Sequence, residues 1–298
     1  MRRFTRVDVM LLTTVVVWSF NFTVTKYVLT HGLRPLAYSS LRYGAAAVIF
    51  AGVTFALERS LAVSGRANLL LLGVSSLLLW ANQIAFVYAL KLTTATTAAL
   101  ILGTTPVFTA VFARVAGLER LSTRFWVASV LSFGGVVLVA AGSGGELSAD
   151  LGGNLLAVAM AATWAAYSVL VAPLMRRYSP YRISAIVLAA AWVPLFLTSV
   201  PQVGAQDYGS LGSLVWLGLA YAVLGPLVLT NVLWFTAIRR VGPSRATLVA
   251  NLQPFIAAVF ALLLLSEPLG ALQIGGGLAI AGSILVARRQ PSVAAPAE

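Results

Sequence analysis

One passage of this chain is written twice at a constant spacing of 148 residues (106 to 254), and such a duplication constrains the fold more than any single motif. The first copy carries Leu100, Pro106, Ala110-Val111-Phe112-Ala113, Glu119, Leu121 and Gly134. The second carries Leu248, Pro254, Ala258-Val259-Phe260-Ala261, Glu267, Leu269 and Gly282. Ala89/Ala237 and the basic pair Lys91/Arg239 extend the register upstream without a gap. Ala, Leu and Val coincide cheaply in an apolar chain. Pro, Phe, Glu and Gly do not, and they carry the match.

The medium follows from composition. With 60% apolar and 9% charged residues and a mean hydropathy of +0.93, the chain cannot be a soluble globule, which averages roughly 25% charged residues. Apolar runs long enough to cross a hydrocarbon core of about 30 Å occur near residues 8–28, 36–56, 67–90, 94–115, 123–142, 152–173, 182–201, 212–236, 243–264 and 270–288. Segments such as Leu69 to Leu79 and Ala257 to Leu265 are apolar all round, which suits helices and not the alternating strands of a membrane barrel. The expected fold is therefore an all-α integral membrane protein of ten transmembrane helices. The tail 290–298, rich in Ala and Pro, is expected to be disordered.

A net charge of +12 raises the possibility of a nucleic-acid partner, and the placement of the charges removes it. With the amino terminus inside, every one of the 20 Lys and Arg residues except Lys26, Arg34, Arg42 and Lys91 falls on the cytoplasmic side. That is the positive-inside pattern, so the excess charge is topology and both termini are expected in the cytoplasm. The apolar stretch from Val9 into Val24 is too long for a signal-peptide core and lacks a small-residue cleavage pattern before Lys26, so it reads as a retained first helix. The chain has no cysteine, which excludes disulfides and thiol chemistry.

A displacement of 148 residues corresponds to five spans. Five is odd, so the two copies cross in opposite senses: an inverted-topology repeat, the architecture of many secondary transporters, with the substrate site near the midplane between halves. The expected units are residues 1–145 and 150–289, joined through the glycine-bearing loop Ser143 to Asp150.

The pattern Pro-x3-Ala-Val-Phe-Ala-x5-Glu, present as Pro106 to Glu119 and Pro254 to Glu267, together with a Trp-bearing helix opening each half (Trp18, Trp164), resembles the EamA family of the drug/metabolite transporter superfamily. The resemblance covers nearly the whole chain. It implies ten helices with cytoplasmic ends, a cavity lined by helices 1 to 4 and 6 to 9, and peripheral fifth and tenth helices. It further implies export of amino acids and related metabolites from bacteria, across the inner membrane, as in similar exporters of aromatic amino acids. The first helix reads Trp18-Ser19 and the sixth Trp164-Ala165 where many members have Trp-Gly.

Helical spacing selects candidate substrate-binding residues. On the first helix Trp18, Asn21, Phe22 and Thr25 share one face, and on the sixth Trp164, Tyr167 and Ser168 do the same. Helix three carries Trp80 and Gln83, with Asn82 and Phe86 beside them. Helix eight carries Asn231, Trp234 and Phe235, the repeat placing Asn231 opposite Gln83 and Trp234 opposite Phe86. Helices four and nine add Thr97, Thr104, Thr105, Asn251 and Gln253. Amides and rings at equivalent depths suit a small polar organic molecule. The alternative roles are interfacial belts for the rings, which fit Tyr88, Tyr208 and Trp216 near helix ends, and interhelical hydrogen bonds for the amides.

Two cations fall within spans. Lys26 reaches the outer surface by snorkelling, whereas Arg42, a turn and a half into the second helix, either holds a substrate carboxylate or pairs with carbonyls. None of the eight acidic residues lies mid-span and His31 sits in an outer loop, so efflux without proton coupling is expected. No cofactor or metal site is expected. Pro106 and Pro254, inside helices four and nine, are candidate gating bends together with Gly103, a static kink being the alternative. The small-residue stripe Ala271, Gly275, Ala279, Gly282 allows close packing of the tenth helix, within a monomer or in a dimer.

The sequence reading is thus an exporter of small polar or zwitterionic solutes, most simply amino acids, working on small molecules in a lipid bilayer. A multidrug exporter of the same fold is the first alternative. A solute channel and an intramembrane enzyme are the others; the enzyme lacks a His-Glu-x-x-His, a Gly-x-Ser-x-Gly or a mid-membrane carboxylate pair.

Overall fold

The computed structural model describes residues 5–92, 98, 101–119, 121–142, 150–256, 259–260 and 270–288. Among these residues all regular structure is helical. In chain order the helices are α1 (Arg6–Thr30), α2 (Pro35–Glu58), α3 (Arg66–Leu92), α4 (Thr105–Val115), α5 (Thr123–Gly142), α6 (Leu151–Val171), α7 (Pro180–Gly204), α8 (Ser213–Val241), α9 (Pro243–Ala250) and α10 (Ala271–Arg288). Six of them, α1, α2, α3, α7, α8 and the stretch from Leu151 that holds α6, are long and apolar enough to cross a membrane. Thr97, the linker 143–149, Glu267 and the tail 290–298 lie outside the described residues.

Local chemistry sets the helix ends. Thr5 and Asp8 form a reciprocal capping box at the start of α1. Ser179 caps α7, whose first residue is Pro180, where a missing N–H costs nothing. Arg59 closes α2 in the left-handed region at φ +55°.

Helices from the first half of the chain pack against those from the second, antiparallel. Along α2 and α7, Leu36 N–H meets the Gln202 amide oxygen, Trp192 Nε1 donates to the Ser40 carbonyl, and Glu58 pairs with Arg182 at 2.8 Å. Along α1 and α8, Gly218 lies against Val28 and Gly225 against Val17. Along α5 and α10, Gly135 lies against Gly276 and Ile280, and Gly142 lies against Gln273. The absent side chains of Gly135 and Gly276 allow this last approach: a Cβ on Gly276 would stand 2.5 Å from the Gly135 carbonyl oxygen. This contact face is displaced by one residue from the stripe read in the sequence, whose Gly275 and Gly282 face open space.

Two irregularities interrupt the helices. The fourth segment is helical at 101–102, turns at Gly103 and Thr104, and resumes as α4; the ninth ends α9 at Ala250, turns at Asn251 and Leu252, and is helical again from 253. Pro106 and Pro254 therefore occupy the first turns of the resumed helices and do not kink continuous ones. The second irregularity is a π-helical turn, Leu224–Leu229, inside α8. A π turn takes up one residue more than an α turn. It lies within the 148-residue register, which runs through Leu79/Leu227 and Gln83/Asn231.

Candidate functional site

A cavity of ≈ 250 Å3 lies among α1, α2, α3, α6, α7 and α8 and the two interrupted segments, and Val136 of α5, a helix expected at the periphery, also reaches it. Its lining contains five residue pairs at the 148-residue spacing: Leu79/Leu227, Gln83/Asn231, Leu102/Ala250, Gly103/Asn251 and Thr105/Gln253. The last pair but one is in direct contact: Asn251 Nδ2 donates to the Gly103 carbonyl at 3.1 Å and to Ser132 Oγ at 2.9 Å.

The breaks release backbone carbonyls that a continuous helix would bind, and buried carbonyls need donors. Thr104 Oγ1 donates to the Ile101 carbonyl and Thr105 Oγ1 to that of Leu102, both at 2.6 Å. Asn251 serves Gly103 from the other half. Ser19 Oγ reaches the Gln253 carbonyl at 3.1 Å.

An aromatic cluster forms one wall. The Trp18 ring is 5.0 Å from Trp234 and 5.3 Å from Trp164. Its Nε1 donates to Thr230 Oγ1 at 2.9 Å and lies 3.4 Å from the Pro226 carbonyl, within the π turn. Asn82 ties α3 to α6 by donating to the Met160 carbonyl at 2.8 Å. Polar side chains on the lining are deeply buried: Asn21 is 7% exposed, Gln83 5% and Arg42 3%. Arg42 donates through Nη1 to Tyr38 Oη at 2.9 Å, and Tyr38 shares a hydrogen bond with Thr25 at 2.8 Å.

Of the residues selected from the sequence, Trp18, Asn21, Arg42, Gln83, Trp164, Asn231, Asn251, Gly103 and Pro254 line the cavity. Trp80, Tyr167, Trp234 and Pro106 stand outside that lining. Tyr167 and Trp234 are buried in the helix packing, with Tyr167 against Trp164 and Phe235, and Trp80 packs at the edge of the same core. Lys26 is exposed. Tyr43, Leu188 and Pro226 line the cavity without having been selected; the Gly225-Pro226 pair inside an apolar run was the available signal for the last. Among the described residues no group of His, Cys, Asp or Glu is arranged to hold a metal.

A cavity walled by helices from both ends of a multi-pass helical membrane chain, with polar groups at its centre, defines the class of membrane solute transporters. The chain belongs to the EamA-like transporter family, which matches it twice, over residues 5–141 and 151–289. It is 24% identical to an uncharacterized transporter of Archaeoglobus fulgidus over 95% of this chain and 99% of the relative. It is 27% identical to a probable amino-acid metabolite efflux pump of Salmonella typhimurium, covering 91% of each. It is 28% identical to a probable terminal-alkyne amino-acid exporter of Streptantibioticus cattleyicolor, over 65% of this chain and 64% of that one. A solved crystal structure, 18% identical, superposes with a TM-score of 0.79 over 95% of this chain and 98% of its own, which shows the fold.

Proposed function

We propose that this protein exports small polar or zwitterionic organic solutes, amino acids and related metabolites foremost, across a bacterial cytoplasmic membrane by alternating access. The observation that carries the reading is the five-pair lining: equivalent residues of the two chain halves meet around one buried cavity. In this reading residues 1–145 and 150–289 are inverted five-helix repeats, ten segments span the bilayer, and both termini are cytoplasmic. The twofold family match and the antiparallel packing of equivalent helices support it. The breaks at Gly103 and Asn251, with Pro106 and Pro254 just beyond, are the hinges about which the cavity opens to either side. Trp18, Asn21, Arg42, Gln83, Trp164, Asn231 and Asn251 contact the solute. Trp80, Tyr167 and Trp234 support those contacts from behind.

Export runs without proton coupling, because among the described residues none that lines the cavity is acidic or histidine. Solute counterflow in liposomes, screened with an amino-acid panel, tests the function. Saturable, trans-stimulated flux of particular amino acids is expected, and it continues when the proton gradient is abolished. Flux without saturation or trans-stimulation identifies a channel. Flux that collapses with the gradient removes the uncoupled mechanism.

A further inference from the structure

Among the described residues Arg42 is the most anomalous charge. Its side chain is 3% exposed, inside the second helix, and borders the cavity. A guanidinium presents five donors and does not deprotonate in proteins. Among the described residues its only hydrogen bond runs from Nη1 to Tyr38, whose ring also lies 4.8 Å from the guanidinium carbon; Nε is unpaired. The one carboxylate on the same helix, Glu58, stands at its far end and is paired with Arg182. Tyr38 and Thr25 hold the guanidinium in place but are neutral and leave its charge uncancelled. A buried cation held in position and lacking a carboxylate is costly unless an anion completes it.

Resting on the transport reading above, we propose that Arg42 is the specificity anchor of the cavity and that the cargo is recognised as a carboxylate bearing an aromatic or bulky apolar group. The planar fork of the guanidinium matches a carboxylate. The aromatic wall of Trp18 and Trp164 takes the apolar body. Among the described lining residues the cationic end of a zwitterion meets no acidic side chain, only amides such as those of Asn21, Gln83 and Asn231, so the ammonium group is dispensable. Carboxylates whose amine is blocked are therefore ligands as well as free amino acids.

Equilibrium binding to the purified protein, read by quenching of intrinsic tryptophan fluorescence, tests this without requiring transport. The probes are phenylalanine, N-acetylphenylalanine and phenylalaninamide. The two carboxylates bind the unmodified protein, and the amide binds about tenfold more weakly or worse, as expected for loss of a charge-assisted pair. Arg42→Gln abolishes the difference between acid and amide, and Arg42→Lys restores part of it. Equal binding of phenylalanine and its amide to the unmodified protein overturns the proposal and needs no variant. So does a requirement for the free amine, or failure of both carboxylates to bind. Carboxylate binding that depends on Arg42 in a protein showing no saturable counterflow sinks the transport reading and leaves the anchor standing.

Discussion

Asn251 offers the sharpest test of how the two halves are joined. Its Nδ2 serves both the Gly103 carbonyl and Ser132 Oγ, at 3.1 and 2.9 Å, in a position 4% exposed. Asn251→Leu keeps the volume and removes both bonds. Interhelical hydrogen bonds in membranes contribute on average about 0.6 kcal/mol and at most about 1.7, and an orphaned buried carbonyl costs about 1 to 3 kcal/mol. The loss should therefore total about 1 to 3 kcal/mol. Ser132→Ala removes one bond and leaves the carbonyl served, so it costs about 0.5 to 1 kcal/mol. Asn251→Asp is worse than Asn251→Leu, because a carboxylate has no donor for Gly103 and brings a charge into the interior.

Reversible unfolding in mixed micelles, followed by tryptophan fluorescence, gives the stabilities, and the double variant closes a cycle between positions 132 and 251. A coupling energy of about 0.5 kcal/mol or more is expected for groups in direct contact. The reasoning fails if Asn251→Leu is as stable as the unmodified protein, or if Asp is tolerated better than Leu. Either result would mean that Asn251 does not bridge the helix breaks.

Three further outcomes follow from the packing and the charges. Trp18→Phe keeps a ring beside Trp164 and Trp234 but loses the bond to Thr230, costing about 1 kcal/mol; adding Thr230→Val to the Trp18→Phe variant should then cost only what the remaining bond from Thr230 to the Pro226 carbonyl contributes, as a thermal-unfolding comparison will show. Gly276→Ala forces a Cβ to within 2.5 Å of the Gly135 carbonyl and should destabilise by about 1 to 3 kcal/mol, while Gly275→Ala, in open space, is neutral or slightly stabilising; equal melting temperatures for the two would refute the glycine contact. Burial raises the pKa of Glu119 despite Ser244, Arg245 and Arg176 around it, so the folded state holds this proton more tightly than the unfolded chain and stability falls as pH rises from the unfolded value toward the folded one. Glu119→Gln should remove that decline, and a pH–stability profile unchanged by the substitution would contradict it.

The helices were legible because lipid demands long apolar runs, and the inward-facing amides because they share faces with large rings. Three features were not. Helical spacing cannot tell a face that borders a cavity from one that borders another helix, which is why Tyr167 and Trp234 fall into the packing while Trp18, Asn21 and Trp164 reach the lining. Pro106 and Pro254 read as kinks, yet each sits three residues beyond a Gly or Asn, Gly103 and Asn251, and that is the stop-and-restart signature of one helix ending and another beginning. The π turn at Leu224–Leu229 left no trace in the sequence, because a single inserted residue within an apolar run leaves hydropathy unchanged.

The breaks also tie the first part of the chain to the second. A helix interrupted inside a membrane must find donors for its released carbonyls, and each half supplies only part of what it needs. Thr104 and Thr105 serve their own segment. The Gly103 carbonyl is served by Asn251 of the second half, and the Gln253 carbonyl by Ser19 of the first. Separating the two parts of the chain at the cavity would thus strand the buried Gly103 carbonyl and break the bond from Ser19 to Gln253.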